Sequence, residues 1–172
     1  LPIYILLNNA GVAVRGGVET LNDEEWDRSF DTNVKGIVHV SKYVVPHMKE
    51  RSYGKIVNIA SVNAVIADKQ DVFVRHAYNA SKAAVLGLTR GMACSYARYG
   101  ITVNAVSPGV VATDIRAGAT DEENEARLAA AVPLGRQATV DDIAALFVFL
   151  SSEDSSYITG GTHNINGGSY IA

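Results

Sequence analysis

A chain of 172 residues, 48% apolar and 19% charged, can bury one ordinary core and is too apolar to be disordered or fibrous. Its net charge of −3, with both signs interspersed, leaves no basic stripe and argues against nucleic acid as a partner. No apolar run approaches the ~20 residues that cross a bilayer, and the single cysteine, Cys94, cannot close an internal disulfide, so a reducing, cytoplasmic setting is expected.

Ile3 to Leu7 reads as a buried strand closed by Asn8-Asn9-Ala10-Gly11. It is too short for a signal core and has no basic flank. The chain opens on Leu-Pro, with a strand almost at once, so further residues upstream are expected. Asn22 with Glu25 has capping-box spacing for a first helix, and a second helix is expected from about Asn33 to Lys49. Ile56 to Ala60 is a strand rich in β-branched residues. The stretch Tyr78 to Tyr99 is helical, with apolar positions at Ala83, Leu86, Met92 and Ala93, and Gly100 as its stop. Cys94 reads as a small core residue within it. Ile101 to Val106 is a third strand, ended by Ser107-Pro108-Gly109. Thr120 with Glu123, and Thr139 with Asp142, cap helices expected near 121–131 and 141–150, and His163 to Asn166 is a short last strand. Alternation of strand and helix, with no linker or repeat, predicts one α/β domain over 1–172 with a parallel sheet.

In such sheets the ligand crevice lies beyond the carboxyl ends of the strands. The turns Asn8–Gly11, Ser61-Val62-Asn63 and Ser107-Pro108-Gly109 should therefore face one cleft, with the Tyr78 helix starting beside it. Tyr78 and Lys82 stand at i and i+4, on one helical face. A phenol is a poor acid or base at neutral pH, but an ammonium about 4 Å away stabilises the phenolate by up to ~4 kcal/mol, about three pKa units. The Ser61 hydroxyl, one residue past its strand, can hold a carbonyl or alcohol oxygen beside that phenol. A Tyr-x-x-x-Lys pair by itself is a common coincidence in a chain with eight tyrosines.

Asn-Asn-Ala-Gly after a strand, Asn33 in Asp31-Thr32-Asn33-Val34-Lys35-Gly36, Ser61, Tyr78-x-x-x-Lys82, then Pro108-Gly109 and Thr113 follow in an order that resembles the short-chain dehydrogenase/reductase family. The resemblance covers essentially the whole chain, and the tail Ser155–Gly160 with Asn166-Gly167-Gly168 shares it. It implies a doubly wound, Rossmann-like parallel sheet with helices on both faces, of which this chain would be the C-terminal two thirds. It implies an oxidoreductase that moves hydride between NAD or NADP and a carbonyl or secondary alcohol of a small molecule. Tyr78 would be the general acid/base and Ser61 would orient the substrate oxygen. Lys82 would lower the Tyr78 pKa and hold the nicotinamide ribose, and Asn33 would bend its helix and hold a proton-relaying water. Asn8, Ala10 and Gly11 would line the cofactor cleft, and Pro108, Gly109, Val111 and Thr113 would position the nicotinamide. The family also implies a homodimer or homotetramer, and a lid after Thr113.

The sequence departs from the family in two respects. No glycine-rich phosphate loop occurs; the resemblance implies that it belongs to first βαβ units that would precede Leu1. Residues upstream would supply them, and the alternative is a silent family member that acts as an interaction or subunit module. The strand at Ile3–Leu7 would then present an apolar edge that upstream residues or another chain must cover. Second, 17 positions separate Ser61 from Tyr78, more than is usual for the family. The extra residues fall within Ala67–His76, expected to wall the substrate site with Asn63. Arg75 and His76 there could recognise an anionic substrate such as a sugar acid, or could belong to a solvated loop. There is no nucleophile elbow, and His39, His47, His76 and His163 have no metal-ligand spacing, so no metal is expected.

Overall fold

The computed structural model describes residues 3–67, 74–113 and 122–171. Four strands, β1 (Ile5–Asn8), β2 (Gly54–Ile59), β3 (Ile101–Pro108) and β4 (Thr162–Ile165), form one sheet in the order β1-β2-β3-β4. Every neighbouring pair is parallel, with Leu6 opposite Ile56, Ile56 opposite Val103, and Ala105 opposite Thr162. Parallel neighbours need crossovers, and the helices supply them. These are α1 (Asp23–Phe30), α2 (Gly36–Glu50), α3 (His76–Tyr96), α4 (Glu122–Ala130) and α5 (Val140–Ser151).

The central strands are buried on both faces, and β2 is buried from Gly54 to Asn58 even though it carries Lys55 and Asn58 beside its apolar residues. On one face Ile56, Ile101 and Val103 pack against Val44, Val45 and Met48 of α2 and against Met92 and Ala93 of α3. On the other, Val57 and Val106 meet Ile143 and Leu150 of α5. Each fully buried side chain of this size contributes about 1.5–3 kcal/mol, so this two-sided core fixes where the strand ends stand.

Two capping boxes form as expected. Asn22 Oδ1 accepts from the Glu25 amide at 2.8 Å, and Thr139 Oγ1 accepts from the Asp142 amide at 3.1 Å. The box expected at Thr120, the bulk of the insertion at 68–73, and the start of the expected lid at 114–121 lie outside the described residues. Gly100 ends the α3 segment at φ +67°, where a Cβ would run into the Ser52 carbonyl oxygen.

Some expectations need correction. No new helix begins at Asn33: the chain stays helical from Asp23 to Glu50, passing through a π turn at Asp31–Lys35. The buried face of α3 carries Ser81, Lys82, Val85, Leu86, Thr89, Met92 and Ala93. Ala83 and Cys94 are exposed, because each stands one residue, about 100° of helical turn, beyond the buried positions Lys82 and Ala93.

Candidate active site

Beyond the carboxyl ends of β1, β2 and β3 lies a cleft of about 700 Å³. Among the expected residues, Gly11, Ser61, Asn63, Arg75, Tyr78, Lys82, Pro108, Gly109, Val111 and Thr113 all line it. Its far wall is held by pairing between two loops: the Ala138 amide donates to the Val110 carbonyl at 3.0 Å and the Ala112 amide to Ala138 at 2.9 Å. Gly109 packs directly on the turn after β4, where a Cβ would meet Asn166 Cα at 2.9 Å.

Tyr78 and Lys82 project from the first turns of α3 on the face turned to the sheet. Lys82 is only 3% exposed, and its Nζ donates to the Ile59 carbonyl, at the end of β2, at 2.9 Å. Nζ sits 5.8 Å from the Tyr78 ring centroid, and the Arg75 guanidinium carbon lies 5.2 Å from the same centroid. Burial lowers the Lys82 pKa to about 8, because a low-dielectric site disfavours the charged form. At pH 7 the ammonium is still largely protonated.

Ser61 ends its strand in an extended conformation and caps a short 3₁₀ turn, Val62–Ala64. Its Oγ accepts from the Asn63 amide at 3.2 Å, which anchors the hydroxyl at the mouth of the cleft.

Asn33 lies in the middle of the π turn and is buried. Its Nδ2 donates to the Val12 carbonyl and to Ser81 Oγ, each at 2.9 Å, while Oδ1 accepts from the Val12 amide at 2.8 Å. Ser81 Oγ donates in turn to the Tyr78 carbonyl at 2.8 Å. The side chain therefore clamps the loop after β1 to the helix that carries Tyr78. Both amide hydrogens are spent on protein, which leaves the π turn's main chain and one Oδ1 lone pair for any bound water. A Cβ on Gly11 would stand 3.3 Å from Asn33 Oδ1 and 3.4 Å from Lys82 Nζ, so glycine keeps the ammonium reachable from the cleft.

Three expected residues are placed elsewhere. Asn8 is buried beneath the cleft, where its Nδ2 donates to Asn58 Oδ1 at 2.8 Å and Asn58 donates to Thr89 at 3.0 Å. Its neighbour Asn9 lines the cleft, and Ala10 does not. His76 is exposed, with Nδ1 accepting from the Val18 amide at 3.0 Å, and stands outside the cleft lining. Sequence reasoning missed Asn9, Arg15 and Ser81. The alternation of a strand marks Asn9, and Ser81 sits beside Lys82 in the motif, but nothing in the sequence marks Arg15.

Comparison with known proteins agrees with this architecture. A family model described as enoyl-(acyl carrier protein) reductase matches residues 2–170. The chain is 39% identical over 170 residues to the 3-oxoacyl-[acyl-carrier-protein] reductase FabG of Haemophilus influenzae, covering 99% of this chain and 68% of that protein. It is 35% identical over 171 residues to an acetoacetyl-CoA reductase of Rhizobium meliloti, covering 99% and 69%. A crystal structure of a gluconate 5-dehydrogenase from Burkholderia cenocepacia, in complex with NADP and tartrate, superposes with a TM-score of 0.91 at 34% identity. That match covers 98% of this chain and 65% of the other. The chain thus spans about two thirds of the length of these relatives. With the parallel sheet and the ordered cleft residues, these matches show that the chain belongs to the short-chain dehydrogenase/reductase family.

Proposed function

We propose that the protein transfers hydride between NAD or NADP and a carbonyl or secondary alcohol, with Tyr78 exchanging the proton. The observation that carries this reading is the convergence on one cleft of Ser61, Tyr78 and a buried Lys82 that Gly11 leaves reachable. Among the described residues Lys82 Nζ has one hydrogen-bond acceptor, the Ile59 carbonyl. An ammonium has three donors, so two remain for a diol such as the nicotinamide ribose. Pro108, Gly109, Val111 and Thr113 would form the wall for the nicotinamide, with Gly11 on the opposite side. When bound, the cofactor supplies or accepts the hydride.

In the reducing direction Tyr78 gives its phenolic proton to the carbonyl oxygen, and Ser61 donates a hydrogen bond that polarises the same oxygen. Lys82 holds positive charge beneath the phenol as it becomes phenolate, and the Asn33 π turn fixes the loop that borders both. The proposed substrates are of the 3-oxoacyl, sugar, sugar-acid or polyol type, and the names of the relatives support the 3-oxoacyl and sugar-acid members of that range. The proposed setting is cytoplasmic, as a homodimer or homotetramer that uses exposed apolar side chains of α2 such as Val40 and Tyr43.

Nicotinamide fluorescence titration together with turnover tests the reading. Tyr78→Phe should lower kcat by about 10²–10⁴-fold while NADH or NADPH still binds. A variant that keeps more than a tenth of the activity would overturn the role of Tyr78. If the unaltered protein binds neither nucleotide, the catalytic reading fails and a silent interaction module replaces it.

A further inference from the structure

His76, expected from sequence to face the substrate, is instead built into a seam beside the cleft. The Gly16 amide donates to the Val74 carbonyl at 2.9 Å, and the His76 amide donates to the Gly16 carbonyl at 3.2 Å. Gly16 makes both bonds at φ +138°, a conformation that glycine adopts readily and other residues do not. The third bond uses a side chain: the Val18 amide donates to His76 Nδ1 at 3.0 Å. The seam joins the loop after β1, whose Gly11, Val12, Ala13 and Arg15 line the cleft, to the first residue of α3, two positions before Tyr78. Asn33 holds the same loop at Val12, so the loop is pinned at both ends. The N-cap of α3, Arg75, makes no side-chain capping bond, which leaves the seam to fix the start of the helix.

A main-chain amide can only donate, so the Val18 bond exists only while His76 Nδ1 carries no proton. Protonation sets a donor against a donor and opens it, and histidine is the side chain that changes charge between about pH 5 and 8. We infer that His76 is a positioning residue for Tyr78 and a proton-sensitive tie: neutral, its ring locks the loop after β1 against the start of α3, and protonated, it frees Val18 and loosens the helix end that carries the phenol. The charged side chains on the surrounding elements are Arg15 and Glu19 of the loop, Arg75, and those of α1 from Asp23 to Arg28, which packs on α3; those of residues 68–73 lie outside the described residues. They help set the pH at which the ring titrates, but the ring alone decides whether Nδ1 can accept. The inference rests on the proposed proton transfer by Tyr78. It adds a loss of activity in acid that neither Tyr78 nor Lys82 produces in the reducing direction, where both work in their protonated forms.

The test follows kcat in the reducing direction from about pH 5.5 to 8, with acetoacetyl-CoA and with 5-ketogluconate, each with NADH and with NADPH. The unaltered protein should lose about threefold to tenfold in kcat toward pH 5.5, the worth of one hydrogen bond. His76→Ala should be slower by that factor at pH 7.5 and show no further fall in acid. His76→Asn, whose side-chain oxygen can accept from Val18 and does not titrate, should restore most of the rate and hold it in acid. An alanine variant as fast as the unaltered protein at pH 7.5 would overturn the inference, as would an asparagine variant that keeps the acid fall. If neither probe is reduced at any pH, the proposed function has failed, and nuclear magnetic resonance decides the inference separately. In the ¹⁵N-labelled protein the Val18 and Tyr78 amide signals should shift together as the pH falls from 7.5 to 5.5, and stay in place in His76→Asn. Signals that do not move, that move independently of each other, or that move equally in His76→Asn overturn it.

Discussion

Under the proposed function Lys82 must stay charged in a place that disfavours charge. Burial lowers its pKa from the ordinary 10.5 to about 8, so the folded protein releases this proton well before the unfolded chain does. Between pH 8 and 10.5 the unfolded state holds the extra proton, and linkage then makes stability rise with pH across that window. Below pH 8 the cost is fully present, on the order of 3 kcal/mol. Lys82→Met should therefore unfold at higher denaturant concentration at pH 7, gaining up to ~3 kcal/mol less any packing loss, while turnover disappears. Urea unfolding of both proteins at pH 7 and at pH 10 checks this, and an equal rise in stability with pH in the two would count against it. The motif pair was legible in the sequence because helical spacing puts i and i+4 together. Arg15 was not legible, since its place at the cleft goes with the pairing of its neighbour Gly16 to Val74 and His76, a contact that no local pattern encodes.

At the scale of elements, strands and caps follow from local chemistry, and the π turn does not. β-branched runs mark β2 and β3, and the Asn22 and Thr139 boxes mark helix starts, each through hydrogen bonds within one turn. The π turn at Asp31–Lys35 instead answers to partners distant in sequence, since Asn33 bonds Val12 on one side and Ser81 on the other. A polar residue within a helical run looks like a boundary when those partners are unknown, which is why a separate helix was expected from Asn33. Asn33→Ala should leave the Val12 amide and carbonyl without partners in the interior, costing about 3 kcal/mol of stability. Thr139→Ala, which removes only an exposed cap, should cost about 1 kcal/mol. Chemical denaturation of the two variants side by side gives the comparison, and an Asn33 effect no larger than the Thr139 effect would remove the clamp from this account.

At the scale of the whole molecule, the sheet ends on β1, whose outer edge pairs with no strand among the described residues. Ile5 and Leu7 are 50% and 47% exposed and share a face with Val57, yet α5 covers Val57 and not them. Ile3 and Tyr4 add further exposed apolar surface. A flat apolar strand with free backbone groups is a template for pairing with another chain, and a contiguous patch of this kind marks an interaction surface. Residues 1–172 by themselves should therefore self-associate, through β1 or through a partner that adds a strand to it. Ile3→Glu with Ile5→Lys places charges on the edge, which disfavours pairing between copies while leaving the Leu6 side packed against the core. Light scattering coupled to size exclusion should show the double variant shifted toward monomer, with its circular dichroism retained. A wild-type chain of 172 residues that runs as a stable monomer at micromolar concentration would contradict the argument, since the exposed edge would then need no cover.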